Sequence, residues 1–262
     1  MPPLLWPSEA IWEAVAPLLP GFTVEVLPEV DSTNSELMRR ARAGQLDPVL
    51  LVAQSQTAGR GRRGRGWVSS PGDSLTFSLS LPLAPVDWSG LSLAVGVALA
   101  EALGPGIDLK WPNDLWIDGR KLAGVLVETA SVAGRAPAGE SAATRHTIVG
   151  VGINIAPRPA AEGMDIAPAD LRALWPQADA PGALLRVALP LVRALQTFER
   201  AGFAPFEAGF AARDLLRGRT VALSEGTTGV AAGLAPGGAL LVHTAAGLQV
   251  VSSAEVSVRP LP

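Results

Sequence analysis

Two short segments hold most of the residues that could do chemistry. Gly59 to Trp67 reads Gly-Arg-Gly-Arg-Arg-Gly-Arg-Gly-Trp, and Lys110 to Asp114 reads Lys-Trp-Pro-Asn-Asp. Arg60, Arg62, Arg63 and Arg65 each carry a guanidinium that can fork onto phosphate or carboxylate oxygens. The glycines between them let the backbone reach positive φ and approach a ligand, with N–H groups lining an anion-binding concavity. Together they suit a small polyanion; a flexible basic surface loop is the plainer alternative. Lys110 and Lys121 are the only lysines, and arginine supplies the remaining positive charge. A lysine retained beside Trp111-Pro112-Asn113-Asp114 points to a need for a compact ammonium.

Gly59 to Gly64 also satisfies the dinucleotide pattern Gly-x-Gly-x-x-Gly, but its context excludes that reading. The pattern should open a helix, whereas Trp67-Val68-Ser69 and Leu75 to Leu79 continue as strand. No Gly-Lys-Ser/Thr follows, so the loop is not a Walker loop. Gln54, Gln56 and Thr57 stand where a strand gives way to this loop, either orienting a polar ligand or satisfying loop backbone. Ser32, Thr33 and Asn34 read as a helix start. Helix N-terminal N–H groups are themselves a ligand site, so capping and binding are compatible there. Trp111 and Pro112 read as packing residues, and a turn cap is the weightier role for Asp114. In Gly150-x-Gly152-x-Asn154 the missing side chains would admit a flat ring or a second backbone. Asn154 could then read an adenine edge with its amide; a bulge and a turn residue is the alternative.

The elements that must position these groups follow from periodicity. Helical spacing runs from Ile11 to Leu19, and Phe22 to Val26 alternates as a strand. Thr33 as N-cap with Glu36 three residues on forms a capping box, opening a helix that stops at Gly44. Val49 to Ala53 is a buried strand, and Trp67 to Leu81 reads as strand, turn, strand. Leu91 to Leu103 is an apolar helix. Ile107 to Trp111 and Asp114 to Ile117 are strand pieces, and Asp118-Gly119 makes a hairpin into Leu122 to Glu128. Arg135 to Thr144 is a loop, and Thr147 to Ile155 a strand. Pro168 to Leu174, Ala183 to Ala201 (despite Pro190) and Phe206 to Leu216 are helical. From Thr220 to Val258 short alternating runs separated by glycine-rich turns suggest a small β-barrel, its last runs being Leu248 to Ser253 and Glu255 to Val258. The boundary falls near Leu215–Arg219, giving domains 1–216 and 217–262.

Composition narrows the function classes. The 262 residues carry a net charge of −3, no cysteine and two histidines, His146 and His243. That balance argues against a general nucleic-acid binder, and the cysteine count removes disulfides, thiolate nucleophiles and the usual zinc sites. The N-terminus lacks signal-peptide character and no apolar run could span a bilayer, so a cytoplasmic protein is expected.

Taken in order, Asp31 to Asn34, Gln56 to Trp67, Lys110 to Asp114, Gly119 to Glu128 and Val149 to Asn154 resemble the biotin–protein ligases. That resemblance spans most of the chain. It implies an α+β fold, a mixed sheet flanked by helices like class II aminoacyl-tRNA synthetases, closed by a small C-terminal SH3-like β-barrel. It implies an ATP-dependent ligase that activates biotin as biotinyl-5′-AMP and transfers it to a lysine of a biotin carboxyl carrier domain of acetyl-CoA carboxylase or a similar carboxylase. Mg²⁺ would accompany ATP, with the metal's protein ligands left unassigned. By the same resemblance Ser32, Thr33, Asn34, Gln56, Arg60, Gly61 and Arg62 contact biotin. Lys110 bridges its carboxylate and the α-phosphate, acting in catalysis with Arg60 and Arg62. Arg63, Arg65, Trp67, Asn113 and Asn154 fall to the nucleotide. The arginine loop is expected to fold over the adenylate and shield it from water.

Some relatives carry an N-terminal helix-turn-helix; the thirty residues before Asp31 are too few for one, so no DNA binding is expected. A homodimer is left open. Ala254 stands where the resemblance leads to a glycine. Two other readings compete: a lipoate–protein ligase, against which Lys-Trp-Pro-Asn-Asp and the lack of an Arg-Arg-x-Ser-Gly-Gly-Gly loop weigh, and a non-catalytic nucleotide or RNA sensor, against which the acidic balance weighs.

Overall fold

A computed structural model describes residues 4–130, 144–160, 166–224, 226–252 and 258–260. Nearly all of the expected 135–144 loop, Ala254 and most of the run 255–258 lie outside them. Seven strands form the main sheet: β1 (Thr23–Val30), β2 (Val49–Gln56), β3 (Ser74–Leu83), β4 (Asp108–Lys110), β5 (Asp114–Ile117), β6 (Arg120–Ala130) and β7 (Arg145–Asn154), in the order β1-β2-β3-β7-β6-β5-β4. Only β1 and β2 run parallel; every other pairing is antiparallel. This is the mixed sheet the sequence implied.

Helices cover both faces. On one side α2 (Thr33–Arg42) buries Leu37, Met38 and Ala41 against Leu51, Ala130 and Ile148. On the other, α1 (Ser8–Val15), α3 (Leu91–Leu103) and α4 (Ala180–Ala201) enclose the larger core. Helix α3 is apolar except for Ser92 and the exposed Glu101, as befits a helix buried along most of its surface. At roughly 1.5–3 kcal/mol for each large aliphatic side chain taken from water, such residues dominate the driving force for folding. Past α5 (Glu207–Ala211), strands β8 (Thr220–Leu223), β9 (Thr228–Leu234), β10 (Leu240–Thr244), β11 (Gly247–Val251) and β12 (Val258–Pro260) form a second antiparallel sheet, ordered β11-β10-β9-β8-β12.

Several expectations are corrected. Ser32, not Thr33, caps α2: its Oγ accepts from the Ser35 backbone N–H at 3.4 Å. Glu36 closes no capping box and instead receives Arg39 and Arg40. Trp67 to Ser70 is not a strand; it joins no ladder of the sheet and is anchored by local bonds, among them the Gln56 N–H donating to Ser69 Oγ at 2.7 Å. The expected helix at Pro168–Leu174 is a single 3₁₀ turn, Leu171–Ala173. The expected helix at Phe206–Leu216 stops at Ala211, after which Asp214 forms a parallel bridge with Leu109.

The two sheets meet behind the lysine motif. Trp111 is fully buried, and its indole N–H donates to the carbonyl of Gly238, in the turn between β9 and β10, at 3.0 Å. Gly238 adopts φ 86°, and an added Cβ would lie 3.2 Å from the Cα of Gly90 at the start of α3. That turn is a plug shaped for one position.

Candidate functional site

The arginine loop is a closed structure. Gly61 N–H donates to the Arg65 carbonyl at 2.7 Å and Trp67 N–H to the Gly59 carbonyl at 2.8 Å. Arg63 (φ 57°) and Gly64 (φ 71°) turn it through the left-handed region. Gly59 is demanded by packing, because a Cβ there would collide with the Trp67 carbonyl. The loop therefore ends on Trp67, whose ring lies on the α2 face of the sheet over Gly152. A Cβ on Gly152 would meet the indole carbons Cε2 and Cζ2. Gly150, two residues earlier, leaves the same kind of space for Asn34: a Cβ there would sit 2.8 Å from Asn34 Cγ. The flat group that the Gly-x-Gly strand admits is the protein's own Trp67.

Between this loop, the start of α2 and the lysine turn lies a cavity of about 930 Å³. Its charge is lopsided. Arg60, Arg62, Lys110, Lys121 and Arg158 border it, and among the described residues Asp114 is its only carboxylate. Burial is the main influence on Arg62 and lowers its pKa; Asp114 pulls the other way, and Arg63 and Arg65 reinforce the lowering. Arginine nonetheless remains protonated, and a guanidinium partly withdrawn from water attracts an anion more strongly than an exposed one. Arg62 Nη1 donates to Asn113 Oδ1 at 3.3 Å, tying the loop to the lysine turn. Asn113 is held in turn by Val125, whose carbonyl accepts from its Nδ2 at 2.8 Å. Lys110 Nζ stands 5.3 Å from the Trp116 ring centre. Lys121 Nζ pairs with Asp114 Oδ1 at 2.7 Å and lies 6.0 Å from the Trp67 ring centre.

At the other end the walls are neutral and hydrogen-bonded. Ser32, Thr33 and Asn34 are all nearly fully buried. Gln56 Oε1 accepts from Thr33 N–H at 2.7 Å. Ser78 Oγ lies 2.7 Å from Thr33 Oγ1 and 2.6 Å from Asn34 Oδ1. Asn34 Nδ2 donates to Glu128 Oε2 at 2.9 Å. Arg60 donates to both Glu128 oxygens, at 3.0 and 3.2 Å. One end can thus hold a polar, uncharged ring, and the other a cluster of negative charge.

The Biotin/lipoate A/B protein ligase family matches residues 26–154, and the Biotin protein ligase C terminal domain matches residues 218–259. The bifunctional ligase/repressor BirA of Escherichia coli is 34% identical over 92% of this chain and 75% of its own length. The biotin–[acetyl-CoA-carboxylase] ligase of Paracoccus denitrificans is 32% identical over 88% of this chain and 98% of its own. The chain belongs to the biotin protein ligase family. The biotin protein ligase of Aquifex aeolicus, solved in complex with biotin and ATP, superposes with a TM-score of 0.73 at 31% identity, covering 91% of this chain and 99% of that one.

Against this ligase fold, the residues singled out in the sequence divide. The cavity gathers Ser32, Thr33, Asn34, Gln56 and Gly61 at one end, and Arg62, Lys110 and Asn113 at the other. Arg60, Arg63, Arg65 and Trp67 border it as well. Asn154 stands apart, buried behind the wall. Its Nδ2 donates to the carbonyls of Lys121 and Ala169, and its Oδ1 has no partner among the described residues. The sequence reading gave no role to Lys121, Arg158, Ser78 or Glu128. Lys121 carried a signal, as the second of only two lysines. Arg158, 5.7 Å from the Trp67 ring centre, carried none.

Proposed function

We propose that this chain activates biotin with ATP, forming biotinyl-5′-AMP and pyrophosphate, and then transfers the biotinyl group to a lysine of a biotin carboxyl carrier domain of acetyl-CoA carboxylase or a similar carboxylase. The observation that carries this reading is the polarity of the cavity, with a hydrogen-bonding end for a neutral ring and a cationic end where a carboxylate and a triphosphate meet. These are the surroundings in which two anions can be forced together.

The chemistry balances without an added reactant. A biotin carboxylate oxygen attacks the α-phosphorus, the bond to the β-phosphate oxygen breaks, and pyrophosphate leaves with the electron pair. The carrier's lysine amine then attacks the acyl carbon, AMP departs, and the nitrogen sheds its proton. Ser32, Thr33, Asn34, Gln56, Arg60 and Gly61 hold the biotin ring end. Lys110 and Arg62 span the carboxylate and the α-phosphate, and Lys121 adds a second ammonium held by Asp114. Arg63, Arg65, Trp67 and Asn113 bear on the nucleotide, while Asn154, buried behind the wall, bears on it only through the Lys121 and Ala169 backbone that its Nδ2 holds. The loop from Gly59 to Trp67 closes over the adenylate.

Mg²⁺ prefers several oxygen ligands and commonly arrives on substrate phosphates. A single lining carboxylate, with no group of three metal-ligating side chains among the described residues, fits an ion carried by ATP with Asp114 as the carboxylate at hand. Bound there, it would supply charge to the phosphates. Residues 1–216 serve as the catalytic domain and 217–262 as the small C-terminal one. No helix among the described residues is long and apolar enough to cross a membrane, and the ATP-linked reaction suits the cytoplasm.

The test is pyrophosphate release from Mg-ATP with biotin, and with lipoate in parallel, for the wild type and Lys110→Ala. Release that needs biotin and collapses in the variant supports the reading. Release with lipoate alone, or with neither acid, refutes it.

A further inference from the structure

On the α2 face of the sheet, β6 presents Glu128 beside Asn34, and this carboxylate joins two parts of the cavity that lie far apart in sequence. The side chain is about one-fifth exposed and is not part of the cavity lining. Its Oε1 and Oε2 take the fork of Arg60, and Oε2 also takes Asn34 Nδ2. An ionised carboxylate only accepts, so Asn34 must turn its amide nitrogen toward it. The nitrogen is fixed a second time by the Leu126 carbonyl at 3.3 Å.

With the nitrogen committed, Asn34 Oδ1 faces Ser78, which has a single proton to give and lies 2.6 Å away. Ser78 Oγ therefore accepts at its other short contact, 2.7 Å from Thr33 Oγ1. The proton on that contact is Thr33's. The alternative, Thr33 donating to Gln56 Oε1 at 3.2 Å, would leave two oxygens 2.7 Å apart with no proton between them. The chain of donors thus runs one way, Thr33 to Ser78 to Asn34 to Glu128. Thr33 Oγ1 is left with only lone pairs toward the cavity, where it lines the wall. A hydroxyl in that state accepts from a ligand N–H and repels a ligand oxygen or sulfur lone pair.

We infer that Glu128 is a positioning residue for the biotin ring end: by accepting from Asn34 it sets the hydrogen-bond direction that makes Thr33 an acceptor for a ring N–H, and by holding Arg60 it pins the first arginine of the loop across that end. The inference rests on the proposed function. It assigns selectivity for a cyclic urea over an N–H-free ring to a carboxylate outside the cavity. Glutamine keeps the shape of the side chain and removes the acceptor-only character. In Glu128→Gln the new amide can offer an N–H to Asn34 Oδ1 and reverse the chain.

The experiment is steady-state pyrophosphate release by the full-length chain, with biotin and ATP varied separately, for the wild type, Glu128→Gln and Ser78→Ala, alongside direct calorimetric titration with biotin alone. Misdirecting one buried hydrogen bond weakens binding by about tenfold. The expected result for Glu128→Gln is a biotin KM and a biotin Kd each raised about tenfold, with the ATP KM within about twofold of wild type. A loss of general stability would raise neither selectively. Ser78→Ala cuts the same chain while leaving Arg60 on Glu128, and serves if Glu128→Gln does not fold; the same split is expected. An unchanged biotin Kd, or biotin and ATP KM values rising together, overturns the inference while leaving the ligase reading intact. Wild-type protein without biotin-dependent release overturns both.

Discussion

Replacing Gly152 by alanine should disable nucleotide handling from beneath the site. The new Cβ would fall 2.6 Å from Trp67 Cζ2 and 2.8 Å from Nε1. Carbon atoms are comfortable at about 3.5–4.0 Å, so the ring must retreat by roughly 1 Å. The strand cannot retreat instead, since Gly152 is paired on both sides, with Thr76 and with Gly124. Moving Trp67 moves the end of the arginine loop, because Trp67 N–H is bonded to the Gly59 carbonyl. A displacement of about 1 Å in a positioning group costs on the order of 100-fold in rate, about 2.7 kcal/mol of barrier. Overpacking itself costs some 1–3 kcal/mol of stability, so a thermal melt must accompany the kinetics. The assay is biotin-dependent pyrophosphate release against ATP concentration at a temperature where both proteins are folded. If kcat/KM for ATP falls less than about threefold, Trp67 does not position the nucleotide site and the packing argument fails.

Gly150→Ala should act on the other ligand, since its Cβ would press on Asn34 rather than Trp67; the biotin KM is expected to rise about tenfold with little change in the ATP KM, read from the same assay. Asp114→Asn removes the carboxylate paired with Lys121, and kcat for adenylation should fall by about tenfold as that ammonium loses its position, measured by single-turnover release. Trp111→Phe deletes the indole N–H and leaves the Gly238 carbonyl without it, which should lower unfolding stability by about 1–3 kcal/mol in denaturant titration. His146 is buried, and burial holds its pKa below 6.5. The unfolded chain therefore binds more protons just below that value, and stability should fall as pH drops from 6.5 toward the folded pKa. His146→Leu should flatten this slope between about pH 7.5 and 5.

Much of the fold was legible because it depends on local pattern. Leu91–Leu103 and Asp114–Ile117 have the limits their spacing predicts, one predominantly apolar and the other ending at the Asp118-Gly119 turn. Expectations failed where distant partners decide conformation. The chain after Ala211 leaves its helix to bridge Leu109, and Ala169 is fixed by the Asn154 amide. No helical repeat reports either event. At the site, the arginine loop and Lys110 were legible from their composition. The acceptor chain was not, because it joins Asn34 to Ser78 across 44 residues and to Glu128 across 94. A serine or glutamate in an alternating strand looks the same whether it meets solvent or an amide. Gly150 and Gly152 were legible as places of close approach, but not as seats for Asn34 and Trp67.

The contact of Trp111 with Gly238 also bears on how such a chain can change over generations. The tryptophan in the lysine motif finishes its hydrogen bonding only on a carbonyl from the second sheet, and the plug turn leaves no room for a side chain against Gly90 and Leu93. A C-terminal unit exchanged for an unrelated one of the same size would leave an indole N–H buried without an acceptor, directly behind the lysine turn. The two parts are therefore heritable as a pair. Recombination that cut near residue 217, where the match to the C-terminal domain family begins, would strand a donor in the core of the first part.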